Sequence, residues 1–227
     1  MLVVVMDLAQ ITAQLQRFSG TDLTATLADI ESKLHGVNAN NLGSALLTAG
    51  AERQALAAAA ALKQVAGQVN TAIHALGILL CLPYILEAGE TVESLSLGAG
   101  NTGRKFDLET NLRVAEFKFI RWRGGSESIR QNSIFKDFFL LAEAETGKRK
   151  YLYVLGTKEP LKFLNGGRNI TSVVSLNSKV GNQFRAKFGD SFRRVRDYYL
   201  AQENKVTVAD ISAWVPELIT DDLDDTD

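Results

Sequence analysis

The spacing of apolar and polar positions divides the chain into a helical first part and a mixed second part. Residues 7–18 and 22–35 repeat apolar side chains at helical intervals. They predict two short amphipathic helices broken at Ser19-Gly20, with Thr21 or Asp22 as N-cap and Gly36 as C-cap before the loop VNANN. From Leu42 to Leu82 the chain is dense in Ala, Leu and Gln and includes the run Ala57–Ala61, which predicts one long helix or two stacked ones, ended or kinked at Pro83. The period then changes. Val92, Leu95 and Leu97 stand among polar residues and predict a strand over 91–97, and two strand-like runs follow between Lys105 and Trp122. A helix is expected from about Glu127 to Glu145, capped by Ser126, with Ile129, Ile134, Phe138 and Leu141 on its apolar face. Lys150–Thr157 reads as a strand, Lys158–Leu164 as a helical turn, and Gly166-Gly167 as a loop. Ser172–Phe188 and Phe192–Gln202 read as helices, Val206–Val208 is too short to assign, and Trp214 and Pro216 are expected to pack a final segment.

With 227 residues the chain can bury the core of one α/β domain and an accessory helical part. Its one cysteine, Cys81, lies in an apolar run, so no internal disulfide is available and a cytoplasmic setting is expected. The opening MLVVVMD has no basic region before Asp7, which argues against a signal peptide. The apolar run Ala72–Leu86 contains His74 and Pro83 and is shorter than a bilayer needs, so no membrane span is expected. In such a setting the sequon Asn169-Ile-Thr171 has no glycosylation meaning. Charge is more informative. Residues 104–205 hold 21 Lys and Arg against 11 Asp and Glu, a balance of +10; the rest of the chain has 4 against 15, a balance of −11. Such a division suits a polyanionic ligand, and the acidic end TDDLDDTD is expected to be disordered and to screen the basic surface.

Several chemistries can be weighed against these residues. Gly98-Ala-Gly100-Asn-Thr-Gly103 has dinucleotide-loop spacing, but a strand follows where a phosphate-binding helix would have to open, so it reads as a turn. His35 and His74 are far apart, which gives little support to a zinc site or a Ser-His-Asp triad. Glu-x-Lys occurs three times, at Glu31–Lys33, Glu116–Lys118 and Glu203–Lys205, and only the middle copy is embedded in a strand, among Val114, Phe117 and Phe119. Alternation puts Glu116 and Lys118 on one face. If Thr110 and Asn111 turn the chain, Asp107 lies about opposite Glu116. Two carboxylates so close call for a divalent cation, and magnesium is the expected one. An exposed amphipathic edge strand is the plainer alternative.

Asp107 with Glu116-Phe-Lys118 resembles the PD-(D/E)xK, or restriction-endonuclease-like, phosphodiesterase superfamily, as does the order helix, strand, strand, strand, helix, strand. The resemblance covers about residues 70–157, departs where Phe106 replaces a common proline, and has a short interval of eight residues between the acids. It implies an α/β fold with a central mixed sheet of about four strands flanked by helices. The expected organisation is a helical segment over 1–60, a nuclease domain over 61–220 and an acidic tail over 221–227. It further implies Mg²⁺-dependent DNA cleavage, with Asp107, Glu116 and the backbone carbonyl of Phe117 on the metal and Lys118 serving phosphate and water. Candidate DNA contacts are Arg104, Lys105, Arg121, Arg123, Gln131, Arg193, Arg194 and Arg196, and RNA is the alternative substrate. Glu87 is expected to be a solvated carboxylate, and Tyr198 and Tyr199 either core or DNA contacts. The rival class is a nucleic-acid-binding or assembly protein that keeps the fold without cutting. A third reading is a purely helical scaffold whose Ala-rich segment mediates oligomerisation, that segment being a candidate homodimer contact or an internal packing helix.

Overall fold

A computed structural model describes residues 7–16, 23–35, 37, 41–49, 51, 53–98, 103–125 and 127–219. The chain divides into two compact units, residues 1–70 and 71–227. In the first, α1 (Leu8–Leu15), α2 (Leu23–Leu34) and α3 (Leu42–Ala49) precede the opening half of α4 (Arg53–Ile85). Asp7 caps α1 by accepting from the Gln10 amide at 2.8 Å, while the Gln10 side chain accepts from the Asp7 amide at 3.0 Å, so two otherwise orphaned donors are satisfied. Among the described residues Ile11, Ala49, Ala55 and Ala58 are its buried apolar ones. The expected break at Ser19-Gly20, its caps Thr21 and Asp22, and Gly36 lie outside the described residues. Pro83 does not end α4, which continues to Ile85; it falls in the last turn, where the missing N–H removes only one bond of the ladder. At 33 residues α4 is long and apolar enough to cross a membrane, by length and composition alone, which the expectation from the 72–86 run had not allowed.

The second unit is mixed α/β. As expected it holds a mixed sheet flanked by helices, which among the described residues has five strands where about four were expected, in the order β1 (Val92–Leu95), β2 (Leu108–Thr110), β3 (Arg113–Lys118), β4 (Arg149–Val154) and β5 (Thr207–Asp210). The first three form an antiparallel meander, whereas β4 and β5 pair parallel to their neighbours. Between β2 and β3 the Thr110 hydroxyl accepts from the Leu112 and Arg113 amides at 3.1 and 2.9 Å, holding a very tight turn at Asn111-Leu112. Between β3 and β4 runs α5 (Ser128–Ala142), as a parallel pair requires.

Two apolar layers sandwich β3. Ala115 and Phe117 face Ile78, Cys81 and Ile85 of α4. Burial in that layer pushes the Cys81 thiol up to about 11, which makes it a core hydrophobe. Val114 faces the other layer, built from Ile134, Phe135, Phe138 and Leu141 of α5 with Phe184 and Tyr198. Truncating a buried ring such as Phe135 would cost about 3–5 kcal/mol. Ile129, expected on the apolar face of α5, is 75 % exposed because the first turn of the helix projects past the layer. The predicted single helix over 172–188 is instead α7 (Ile170–Val173), a 3-10 turn and α8 (Ser178–Phe188). Asn177 breaks it by accepting from the Val180 amide at 3.1 Å, and Asn169 of the sequon caps α7 in the same manner. Between β4 and α7 lies α6 (Lys158–Leu164), and α9 (Val195–Gln202) leads to β5, the edge strand that 206–208 had been too short to predict.

Candidate active site

The β2–β3 pairing joins Leu108 to Ala115 and Glu109 to Val114, and one further step of that register sets Asp107 across from Glu116. Asp107 lies just before β2, and its backbone continues the sheet by accepting from the Ser96 amide at 2.8 Å. Its carboxylate is 15 % exposed, accepts from the Phe117 amide at 2.9 Å through Oδ2, and lies 3.3 Å from Nε2 of His74 through Oδ1. Burial would raise its pKa, but those two hydrogen bonds and the charges of His74 and Lys118 hold it below the usual carboxylate range.

His74 reaches Asp107 because α4 passes close to the end of β3. A Cβ on Gly77 would stand 2.5 Å from the Phe119 ring and force that ring to move, and with glycine there the His74 ring meets the Phe119 ring edge-on at 5.8 Å. His74 takes its place on the buried stripe of α4 with Ile78, Cys81 and Ile85.

Even-numbered residues of β3 face α5. Val114 packs there, and Glu116 and Lys118 follow on the same side. Lys118 forms an ion pair with Asp137 of α5, a carboxylate only 1 % exposed, and Lys136 reaches its other oxygen at 3.1 Å. Among the described residues neither Asp137 oxygen has a partner besides these two lysines, so their contacts alone offset its burial. Burial works against the charge of Lys118, but the carboxylates of Asp137 and Glu116 outweigh it and raise its pKa. Glu116 takes the opposite course: burial, then the charges of Asp137 and Asp107, push its carboxyl up to about 9, against the opposing pull of Lys118. Neighbouring acids with pKa values driven apart are the pattern expected where a site must handle charge.

The residue types at this end of β3 are ones a hard cation accepts. Magnesium binds through one or two carboxylates, keeps several waters, and avoids full protein cages. Asp107, Glu116 and the Phe117 carbonyl offer oxygen only, and both Asp107 oxygens are already engaged, by His74 and by the Phe117 amide. Among the described residues no group of three or more His, Cys, Asp or Glu side chains is arranged to hold a metal.

The basic candidates are spread out. Arg104, Lys105 and Arg123 are exposed, the first two directly before Phe106 and Asp107. Arg121 is half-buried, and its guanidinium donates to the Ile219 carbonyl at 2.9 Å. Arg193, Arg194 and Arg196 are exposed beside the 166–170 loop, where the Ile170 amide bonds the Arg193 carbonyl at 3.0 Å and the Arg196 amide the Gly166 carbonyl at 3.2 Å. Gln131 is buried and accepts from Arg168, so it does not present itself to a ligand as the resemblance implied. Tyr198 is core: fully buried, it donates to Glu143 at 2.8 Å, and Tyr199 packs its ring on Phe138. Glu87, expected to be merely solvated, bridges Arg113 at 2.9 Å and Arg149 at 2.7 Å.

Sequence reading missed Asp137 and His74. Both had a signal: Asp137 is spaced three and four residues from Ile134 and Leu141 on a buried stripe, and His74 is four from Ile78. No family model, curated protein or solved structure matches the chain.

Proposed function

We propose that the chain is a magnesium-dependent phosphodiesterase of the restriction-endonuclease-like, PD-(D/E)xK type that hydrolyses DNA. The observation that carries this reading is the β2–β3 register, which sets Asp107 across from Glu116 with Lys118 on the Glu116 face. An antiparallel meander followed by a helix and a parallel strand supports the same superfamily. Asp107, Glu116 and the Phe117 carbonyl would hold magnesium, which when bound supplies charge neutralisation at a phosphodiester and an acidified water. Lys118 offers a fixed positive charge to a phosphate oxygen and orients the water beside it. The +10 balance of residues 104–205 draws the polyanion to this half of the chain.

A non-cleaving nucleic-acid-binding or assembly protein of the same fold is the second reading. It is favoured by the engagement of both Asp107 oxygens, one by His74 and one by the Phe117 amide. Nicking of supercoiled plasmid separates the two. Wild-type protein should nick with magnesium and not with calcium. Asp107→Asn should fall to background while still binding DNA, Lys118→Ala should also be inactive, and Glu31→Gln and Glu203→Gln should cut as wild type does. Activity persisting in Asp107→Asn would contradict the mechanism, and wild-type binding without cleavage of any DNA or RNA would establish the second reading.

A further inference from the structure

A buried carboxylate in the middle of an aromatic helix face needs a reason. Asp137 is 1 % exposed, with Phe135, Phe138 and Phe139 buried around it, where an apolar residue would pack without desolvation cost. Among the described residues its oxygens are met only by two ammonium groups, Lys118 from the strand and Lys136 from the preceding position of its own helix. A buried ion pair of this kind is usually no more stable than a pair of apolar residues in its place. Stability therefore does not account for it, and the geometry of Lys118 does. A lysine ends in a compact charge on four flexible carbons, so a strand alone cannot fix where its ammonium stands. Asp137 supplies a fixed anchor from the facing helix, on the same side of β3 as Glu116.

We infer that Asp137 is the positioning residue of the site: it holds the Lys118 ammonium beside Glu116, where a phosphate oxygen must be met. It touches neither substrate nor metal and acts through Lys118. The inference rests on the hydrolytic reading for its purpose, but the contact itself can be tested apart from activity.

Lysine labelled with ¹³C at the ε position gives a Lys118 resonance, assigned by its loss in Lys118→Ala. Asp137→Asn keeps the side-chain shape and should move and sharpen that resonance. It should also lower the turnover of plasmid nicking about 10–100-fold, as loss of a supporting contact does, with KM little changed. In Lys118→Ala the further change Asp137→Asn should cost nothing, because its effect runs through the lysine. A Lys118 resonance that stays in place, or losses that multiply in the double variant, would overturn the inference. A resonance that moves in a protein that never cleaves would uphold the positioning contact and remove the hydrolytic reading. Should Asp137→Asn fail to fold, Lys118→Met with Asp137→Leu replaces the whole pair by apolar groups. That variant should melt no lower than wild type and be inactive, whereas its collapse would make the pair a structural element and overturn the inference.

Discussion

The two ends of β3 each carry a cluster of buried charge, and the clusters are built in opposite ways. At the first end Arg113, 4 % exposed, donates to both Glu90 oxygens at 2.6 Å, to Glu87 at 2.9 Å and to the Tyr153 hydroxyl at 3.3 Å, and it lies over the Tyr151 ring. Thr110 donates to Glu90 at 2.5 Å and the Glu87 amide to its other oxygen at 3.0 Å. Burial works to raise the pKa of Glu90, yet these bonds bring it down to about 2. At the far end Glu116 is pushed up to about 9, and among the described residues the Asp137 carboxylate is met only by the ammonium groups of Lys118 and Lys136. Completed networks of this kind hold a fold together. Incomplete ones, left with charges that burial opposes, are candidates for a functional role.

Substitution should expose the contrast most strongly. Arg113→Ala leaves Glu90 buried and unpaired, and should destabilise the second unit by about 3–5 kcal/mol in urea unfolding. Glu116→Gln replaces a carboxyl that burial and the neighbouring acids already hold uncharged near neutral pH, and should leave stability about unchanged while ending cleavage. Equal destabilisation by the two changes would erase the distinction.

Acid should act on the first cluster in a defined direction. A carboxylate whose pKa is depressed by folding contributes stability above its unfolded pKa and loses that contribution as pH falls through the folded value. For Glu90 the window runs from 4.5 down to about 2. Unfolding followed across that window should show a loss in wild type that is smaller in Glu90→Gln.

Much of the far cluster was legible because a strand constrains it. Alternation put Glu116 and Lys118 on one face; the turn expected at Thr110-Asn111 lies one residue later, at Asn111-Leu112, and that register sets Asp107 across from Glu116. Lys118's anchor was harder to read. Lys136-Asp137 looks like an ordinary polar interruption of α5, and only the spacing of Asp137 from Ile134 and Leu141 says that it points inward. His74 was set aside for want of a second histidine, although its partner proved to be an aspartate 33 positions on. β5 left little trace in the sequence, because Thr207–Asp210 gains its strand character from parallel pairing with the distant β4. The break at Asn177 depends on one side-chain bond that periodicity cannot register.

The surface effect should be the smallest. Arg193, Arg194 and Arg196 changed together to alanine should weaken nucleic-acid binding alike for all sequences. The slope of log affinity against log salt should fall by about 2.7 if each arginine meets one phosphate, at roughly 0.9 per contact. An affinity indifferent to salt in wild type would separate the basic surface from nucleic acid altogether.

The contrast between the two ends of β3 rests on whether the far one takes up a cation. Calorimetric titration of magnesium into the full chain without nucleic acid measures this most directly, with thermal unfolding alongside. Wild type should bind a single ion and gain about 2.7 kcal/mol of stability when magnesium is a hundredfold above its dissociation constant, whereas Asp107→Asn should show neither effect. No uptake by wild type, or uptake that Asp107→Asn leaves intact, would contradict the account.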